Sequence, residues 1–321
     1  EVAAGACLTG ARSVVTMKHV GLNVAADPLM TLTYVGAVGG FVAIVADDPG
    51  MHSSQNEQDT RQYARFAKIP LLEPSDSAEA RDFLVAGMEI SEKFKTPVIL
   101  RTTTRISHSR SLVKLGERVE HPPQGFKKDP PRFVPIPAWA RPMRVRVEER
   151  LRAMIPEVSA SALNRIEWAD KELGIIACGV AYQYVKEVFP EASVLKLGWP
   201  YPYPDELIRQ FAAGVKRLLV VEELDDFLEE HVKALGIACD GKNFVPNIGE
   251  LSPMALRKIR ARMEGKELAP ILPVEEASKL PPRPPVLCPS CPHRAVFSAL
   301  GKFDVVVTGD IGCYSLGVAA P

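Results

Sequence analysis

Two short runs in the first half of the chain, residues 13–17 and 41–46, are almost continuously apolar and carry no charge. Runs of this kind belong to strands covered on both faces, which is how a parallel sheet reads. Residues 2–8 suit a close-packed helix. Asp76 and Glu79 make a capping-box-like start to a longer one, with Ala80, Phe83, Leu84, Gly87, Met88 and Ser91 on a single face. Pro97 then opens another strand over residues 98–102. The alternation of strand and helix predicts a doubly wound parallel α/β sheet over residues 1–112.

The pattern changes after that sheet. Seven prolines lie between Pro122 and Pro142, and Lys and Arg locally outnumber Asp and Glu, so residues 113–163 are expected to form an extended basic connector. A second, smaller α/β unit is predicted over residues 164–269. Its strands are 173–177, 193–197 and 217–221, and its helices lie near 180–188, 205–213 and 226–235. A proline-rich linker, 270–287, leads to the start of a third α/β unit, 288–321, in which residues 303–308 read as a short buried strand.

A length of 321 residues accommodates two or three domains. Basic and acidic residues balance at 39 each, so nothing in the charge recruits nucleic acid or an acidic membrane surface. The chain has neither an apolar run long enough to span a bilayer nor the order of a signal peptide, and a soluble, cytoplasmic protein is expected. Both ends read as cut, since residue 1 enters an Ala/Gly-rich helix without a cap and Pro321 follows soon after a strand.

Six cysteines are too few for a disulfide scaffold, and three of them lie beyond residue 287, which favours metal or redox chemistry. Cys288 and Cys291, each followed by proline, present two sulfurs from one turn, with Cys313 just past the strand at 303–308. That is ligand spacing for iron-sulfur or zinc, against the alternative of two buried thiols and a loop thiol. At the other end of the chain, Lys18, His19 and Asn23 follow one strand, and His52, Ser53, Ser54, Gln55 and Asn56 follow the next. Both loops should open at the carboxyl edge of one sheet, where ligands of α/β proteins gather, although such residues also serve as plain turn formers. The acidic group at Glu222, Glu223, Asp225, Asp226, Glu229 and Glu230 is expected to be solvated and to face a helix N-terminus. Trp199, Tyr201 and Tyr203, spaced by prolines, read as a rigid packing loop.

The stretches CPSCPHR, TGDIGCYSLG, and VTMKHVGLNVAADPLMTLTY running on to ADDPGMHSSQNEQD resemble the thiamine diphosphate-dependent 2-oxoacid:ferredoxin oxidoreductase family, and within it the large (alpha) subunit of indolepyruvate:ferredoxin oxidoreductase. The resemblance covers essentially the whole chain. It implies that residues 1–112 are the pyrimidine-binding type of domain, that 164–269 are similar to the C-terminal domain of transketolase, and that 288–321 begin the diphosphate-binding domain. The activity implied is oxidative decarboxylation of an arylpyruvate to an aryl-acyl-CoA, with electrons passed through iron-sulfur clusters to ferredoxin. Coenzyme A and a smaller beta subunit are the other partners it implies.

By the same resemblance Lys18, His19, Asn23, His52, Ser53, Asn56, His293, Asp310 and Gly312 are cofactor-binding residues. Cys288, Cys291 and Cys313 match three of the four ligands of a 4Fe-4S cluster, the fourth being expected beyond Pro321. His293 stands where relatives continue with glycine, so the alternative is that these cysteines line the cofactor pocket. The catalytic glutamate is expected before Glu1. The Mg2+ motif is expected past Pro321, because Ile311 occupies the place of its second glycine. Residues 1–321 alone are accordingly expected not to turn over. A non-redox thiamine diphosphate-dependent decarboxylase and a catalytically silent binding subunit are the other two readings.

Overall fold

A computed structural model describes residues 1–266, 268, 281, 286–309 and 312–318. Glu1–Glu267 form one compact unit and Leu268–Pro321 a second.

The first sheet holds β1 (Ser13–Lys18), β2 (Phe41–Asp47), β3 (Leu71–Leu72) and β4 (Val98–Thr103), all parallel, in the order β1-β2-β4-β3. Strands β2, β3 and β4 are covered on both faces, as apolar continuity predicts, whereas the edge strand β1 leaves Val14 and Thr16 exposed. Phe41, Ala43 and Val45 enter one core, while the alternate residue Val42 joins Leu72, Val98 and Leu100 in another. The second sheet holds β5 (Asn164–Glu167), β6 (Asp170–Cys178), β7 (Ala192–Leu197) and β8 (Arg217–Val221), in the order β5-β7-β6-β8. Its edge strand β5, which the sequence reading did not foresee, runs antiparallel to β7. The two sheets share a core. Ile176, Cys178, Leu195, Leu218 and Val220 from the second belong to the same apolar cluster as Phe41, Ala43 and Val45 from the first.

The helix Ser77–Phe94 shows how the local sequence sets its own start. The Asp76 carboxylate accepts from Glu79 N at 2.9 Å, and Glu79 Oε2 accepts from Ser75 N at 2.8 Å, one residue before the N-cap. Phe83, Gly87, Met88 and Ser91 are buried along the predicted face, with Ile90 and Phe94. Gly87 is the point of closest approach, where a Cβ would lie 3.1 Å from Val42.

Two predicted elements fold differently. Residues 113–129 of the connector are irregular and largely exposed, but Pro137–Ala160 is one long helix with Pro142 and Pro156 inside it. Each interior proline costs about 3 kcal/mol. Burying Met143, Val147, Met154 and Val158 returns about 1.5–3 kcal/mol apiece, which is enough to carry the helix. Residues 303–308 form no strand, and Val306 is 93% exposed. An apolar run becomes a parallel strand only beside another strand, and none exists among the described residues of that unit.

Candidate functional site

Parallel pairing of β1 with β2 brings their following loops together. Lys18 Nζ donates to Ser53 O at 2.7 Å, and His19 Nε2 lies 3.2 Å from Asn56 Oδ1. Lys18, His19, Ser53 and Asn56 therefore share one crevice, as the strand order requires. Asn23 is turned to the rim, where its Oδ1 accepts from the Tyr63 hydroxyl at 2.7 Å. His52 is half exposed and faces Glu250 at 3.4 Å. His19 is itself 1% exposed, and its Nδ1 has no partner among the described residues. With Nε2 donating to Asn56 Oδ1, Nδ1 is left as a buried acceptor.

Sequence reasoning passed over the residue that shapes this crevice. Asp48, buried at the end of β2, accepts from His52 N, Ser53 N, the Ser54 hydroxyl and the Thr104 hydroxyl, with Lys18 Nζ at 3.5 Å. Burial pushes its carboxyl up, but these donors outweigh burial and hold it well below the usual carboxylate range. Gly50 and Met51, both at positive φ (85° and 52°), turn the chain so that residues 52–54 fold back over it. Two aspartates ending an apolar strand are the signal that marks this position.

Beneath the crevice lies a buried charge network that joins the two sheets. Arg61, fully buried, donates to Asp59 at 2.9 Å through Nε, to Glu222 at 2.5 Å, and to Glu223 O at 2.7 Å. Arg101 Nε donates to Asp47 at 2.6 Å and its Nη1 to Glu73 at 3.0 Å. Burial raises the carboxyls of Asp47 and Glu222 against the pull of the guanidiniums. Burial also pushes Asp59 up, but Arg61 and Arg101 overcome it and bring that carboxyl down to about 2. The acidic group around Glu222 does face a helix end, since Glu222 Oε1 accepts from Glu229 N at 3.0 Å. Asp225, Asp226 and Glu230 are exposed as expected, but Glu222, Glu223 and Glu229 are buried in the shared interior. An arginine inside the otherwise apolar β4 is the sequence signal for such pairing, as is the fully buried Lys196 in β7, which reaches Glu79 at 2.6 Å. Trp199 and Tyr201 are buried, in keeping with a packing loop.

Burial pushes the Glu223 carboxyl up to about 7, against a hydrogen bond from Leu251 N and the charge of Arg101. An acid whose folded pKa is raised destabilises the fold as pH climbs from its unfolded value to its folded one. That cost is fully present above about pH 7 and absent below about pH 4. Glu223→Gln keeps the acceptor for Leu251 N and is expected to add about 3 kcal/mol of stability near pH 8 and much less near pH 5. Denaturant titrations of the protein at the two pH values check this, and an equal gain at both contradicts it.

The second unit is described by itself. Pro292–Leu300 is a helix entered from the Cys288–Cys291 turn, and the short 3-10 helix Cys313–Val318 packs against it. Cys291 Sγ lies 3.3 Å from His293 Nδ1, and His293 is 5.6 Å from the Tyr314 ring. The Gly312 carbonyl accepts from the Ser315 hydroxyl at 2.5 Å. Asp310 falls outside the described residues. Cys288 and Cys313 are exposed, and no three His, Cys, Asp or Glu side chains among the described residues are gathered to hold a metal ion. The expected ligand set of Cys288, Cys291 and Cys313 is thus not assembled. Without the strand at 303–308, no described residue of this unit forms a sheet edge for Cys313 to follow. These residues, as folded, do not fit an iron-sulfur cluster.

Among the described residues no helix is long and apolar enough to cross a membrane. No family model matches the chain. It superposes on 2-oxoglutarate:ferredoxin oxidoreductase from Magnetococcus marinus with a TM-score of 0.59 and 14% identity, over 82% of this chain and 55% of that one. That likeness shows the fold alone: α/β sheets that are parallel except at β5. In sequence, the chain is 44% identical over its whole length to indolepyruvate oxidoreductase subunit IorA of Methanothermobacter thermautotrophicus, covering 56% of that protein. It is 45% identical to the IorA subunit of Pyrococcus abyssi, covering 54%. The chain belongs to this family of indolepyruvate oxidoreductase subunits, and it spans about half the length of the curated relatives it matches.

Proposed function

We propose that the whole protein oxidatively decarboxylates an arylpyruvate to an aryl-acyl-CoA with thiamine diphosphate, passing electrons to ferredoxin and working with a smaller beta subunit. Family membership over the full chain supports the 2-oxoacid chemistry. The observation that carries the site is the Nδ1 of His19, buried at the carboxyl edge of the first sheet with no partner among the described residues. Thiamine diphosphate, when bound, supplies carbanion chemistry at the keto carbon of the substrate.

The chain's own residues supply orientation and charge. His19 and Asn56 offer polar atoms at the floor of the crevice, and Ser53 forms its wall. Lys18 keeps a cation there for an anionic group, and Asp48 holds residues 52–54 in place. Asn23 and His52 act at the rim. Electron transfer is not assigned to Cys288, Cys291 or Cys313 in the arrangement found.

The full-length protein, assayed with indolepyruvate, coenzyme A and a one-electron acceptor dye, is expected to require thiamine diphosphate. His19→Ala is expected to raise the thiamine diphosphate concentration needed for half activity by about tenfold or more, as befits one lost polar contact in a buried site. Carbon dioxide release without dye reduction points to a non-redox decarboxylase. An unchanged requirement in the variant removes His19 from the cofactor site.

A further inference from the structure

At the opposite, amino-terminal edge of the first sheet, where Gly36 and Lys95 lead toward β2 and β4, lies a cavity of about 670 Å³. The ends of helices Ala26–Val35 and Ser77–Phe94, the long helix Pro137–Ala160 and residues 129–132 border it, and it is open to solvent on one side. Val35 and Phe94 give it an apolar floor. Its walls carry five cations against the carboxylates of Asp129 and Glu149.

One of the cations, Lys93, is paired with Glu157 at 2.6 Å. The other four, Lys95, Arg132, Arg146 and Arg150, form no salt bridge among the described residues. Backbone carbonyls hold two of the guanidiniums in place: Arg150 donates to Lys95 O at 2.6 Å and to Tyr34 O at 3.4 Å, and Arg132 to Ala37 O at 3.2 Å. Closing helix C-termini accounts for Arg150. It does not account for Arg146 and Lys95, which turn further positive charge toward the same space. Burial, with the neighbouring charges of Arg146 and Arg132, lowers Arg150 to about 10, the mark of a cation group lacking its counter-charge.

We propose that this cavity binds a small phosphorylated molecule, its phosphates held by Arg132, Arg146, Arg150 and Lys95 and its apolar part resting on Val35 and Phe94. Guanidinium forks match phosphate oxygens, and forks fixed before the ligand arrives lose little freedom on binding. The volume and the concave, apolar-floored shape suit a small molecule rather than a protein surface. The proposal stands without the reaction assigned above, because it concerns the other edge of the sheet.

The test is calorimetric titration of the full-length protein at low ionic strength with pyrophosphate, adenosine 3′,5′-bisphosphate and adenosine. Both anions are expected to bind saturably and adenosine far more weakly. The double variant Arg146→Ala, Lys95→Asn is expected to weaken both anions by about tenfold or more. Arg146 makes no side-chain hydrogen bond among the described residues, and asparagine tolerates the left-handed backbone of Lys95 at φ 52°, so the fold should persist. Lys216→Ala, on a surface lysine paired with Glu172, is the control and is expected to change nothing. A nucleotide that binds more tightly than pyrophosphate identifies the apolar floor as a base-reading surface, and equal affinities identify a site for phosphate alone. Absence of saturable anion binding, or binding untouched by the double variant, overturns the proposal.

Discussion

Arg61→Met is expected to cost about 3–5 kcal/mol of stability, because it leaves Asp59 and Glu222 buried without the cation that both touch. The damage should be to the joint between the sheets, since Arg61 follows β2 in sequence while Glu222, Glu223 O and Asp225 O lie past β8. A compensated variant separates charge from shape. Arg61→Met combined with Asp59→Asn and Glu222→Gln removes the stranded charges, and it is expected to recover most of the loss, as buried ion groups replaced whole often cost little. Chemical denaturation of the single and triple variants gives the comparison. A single variant within about 1 kcal/mol of the parent protein would show that the network is not what joins the sheets.

Asp48→Ala is expected to lower kcat/KM for the 2-oxoacid by about 100-fold, on the reading of the crevice proposed here. The reason is positional. His52 N, Ser53 N, Ser54 and Thr104 all donate to this one carboxylate, and without it residues 52–54 lose the anchor that sets the crevice wall. Global stability should fall far less than in the Arg61 variant, because Ser53 and its neighbours are exposed and can turn to water. Full activity in a folded Asp48→Ala protein would remove this loop from the site.

Local pattern was sufficient for the elements whose environment is written in their own residues. The boundaries of Val2–Leu8, Asp205–Ala213 and Arg217–Val221 agree with the sequence reading. Apolar periodicity acts over a single turn or strand, so it survives without knowledge of the fold. The meeting of the Lys18 and His52 loops was legible too, because parallel neighbours necessarily open at the same edge.

Prolines concealed the helix Pro137–Ala160, whose stability comes from apolar surface it buries rather than from its own preference. The run at 303–308 is apolar enough for a strand, yet pairing is a property of two segments, and the sequence of one cannot supply the other. Charge was the hardest to judge. Glu222 and Arg61, 161 positions apart, each look solvated alone, and only folding brings them to 2.5 Å in a dry interior. The chain by itself therefore determined its family, six of the eight strands in the two sheets, and which loops open at one sheet edge. Tertiary structure alone decided which charges were buried, what Asp48 holds, and that three cysteines with a ligand-like spacing are not drawn together, because burial and convergence depend on distant segments.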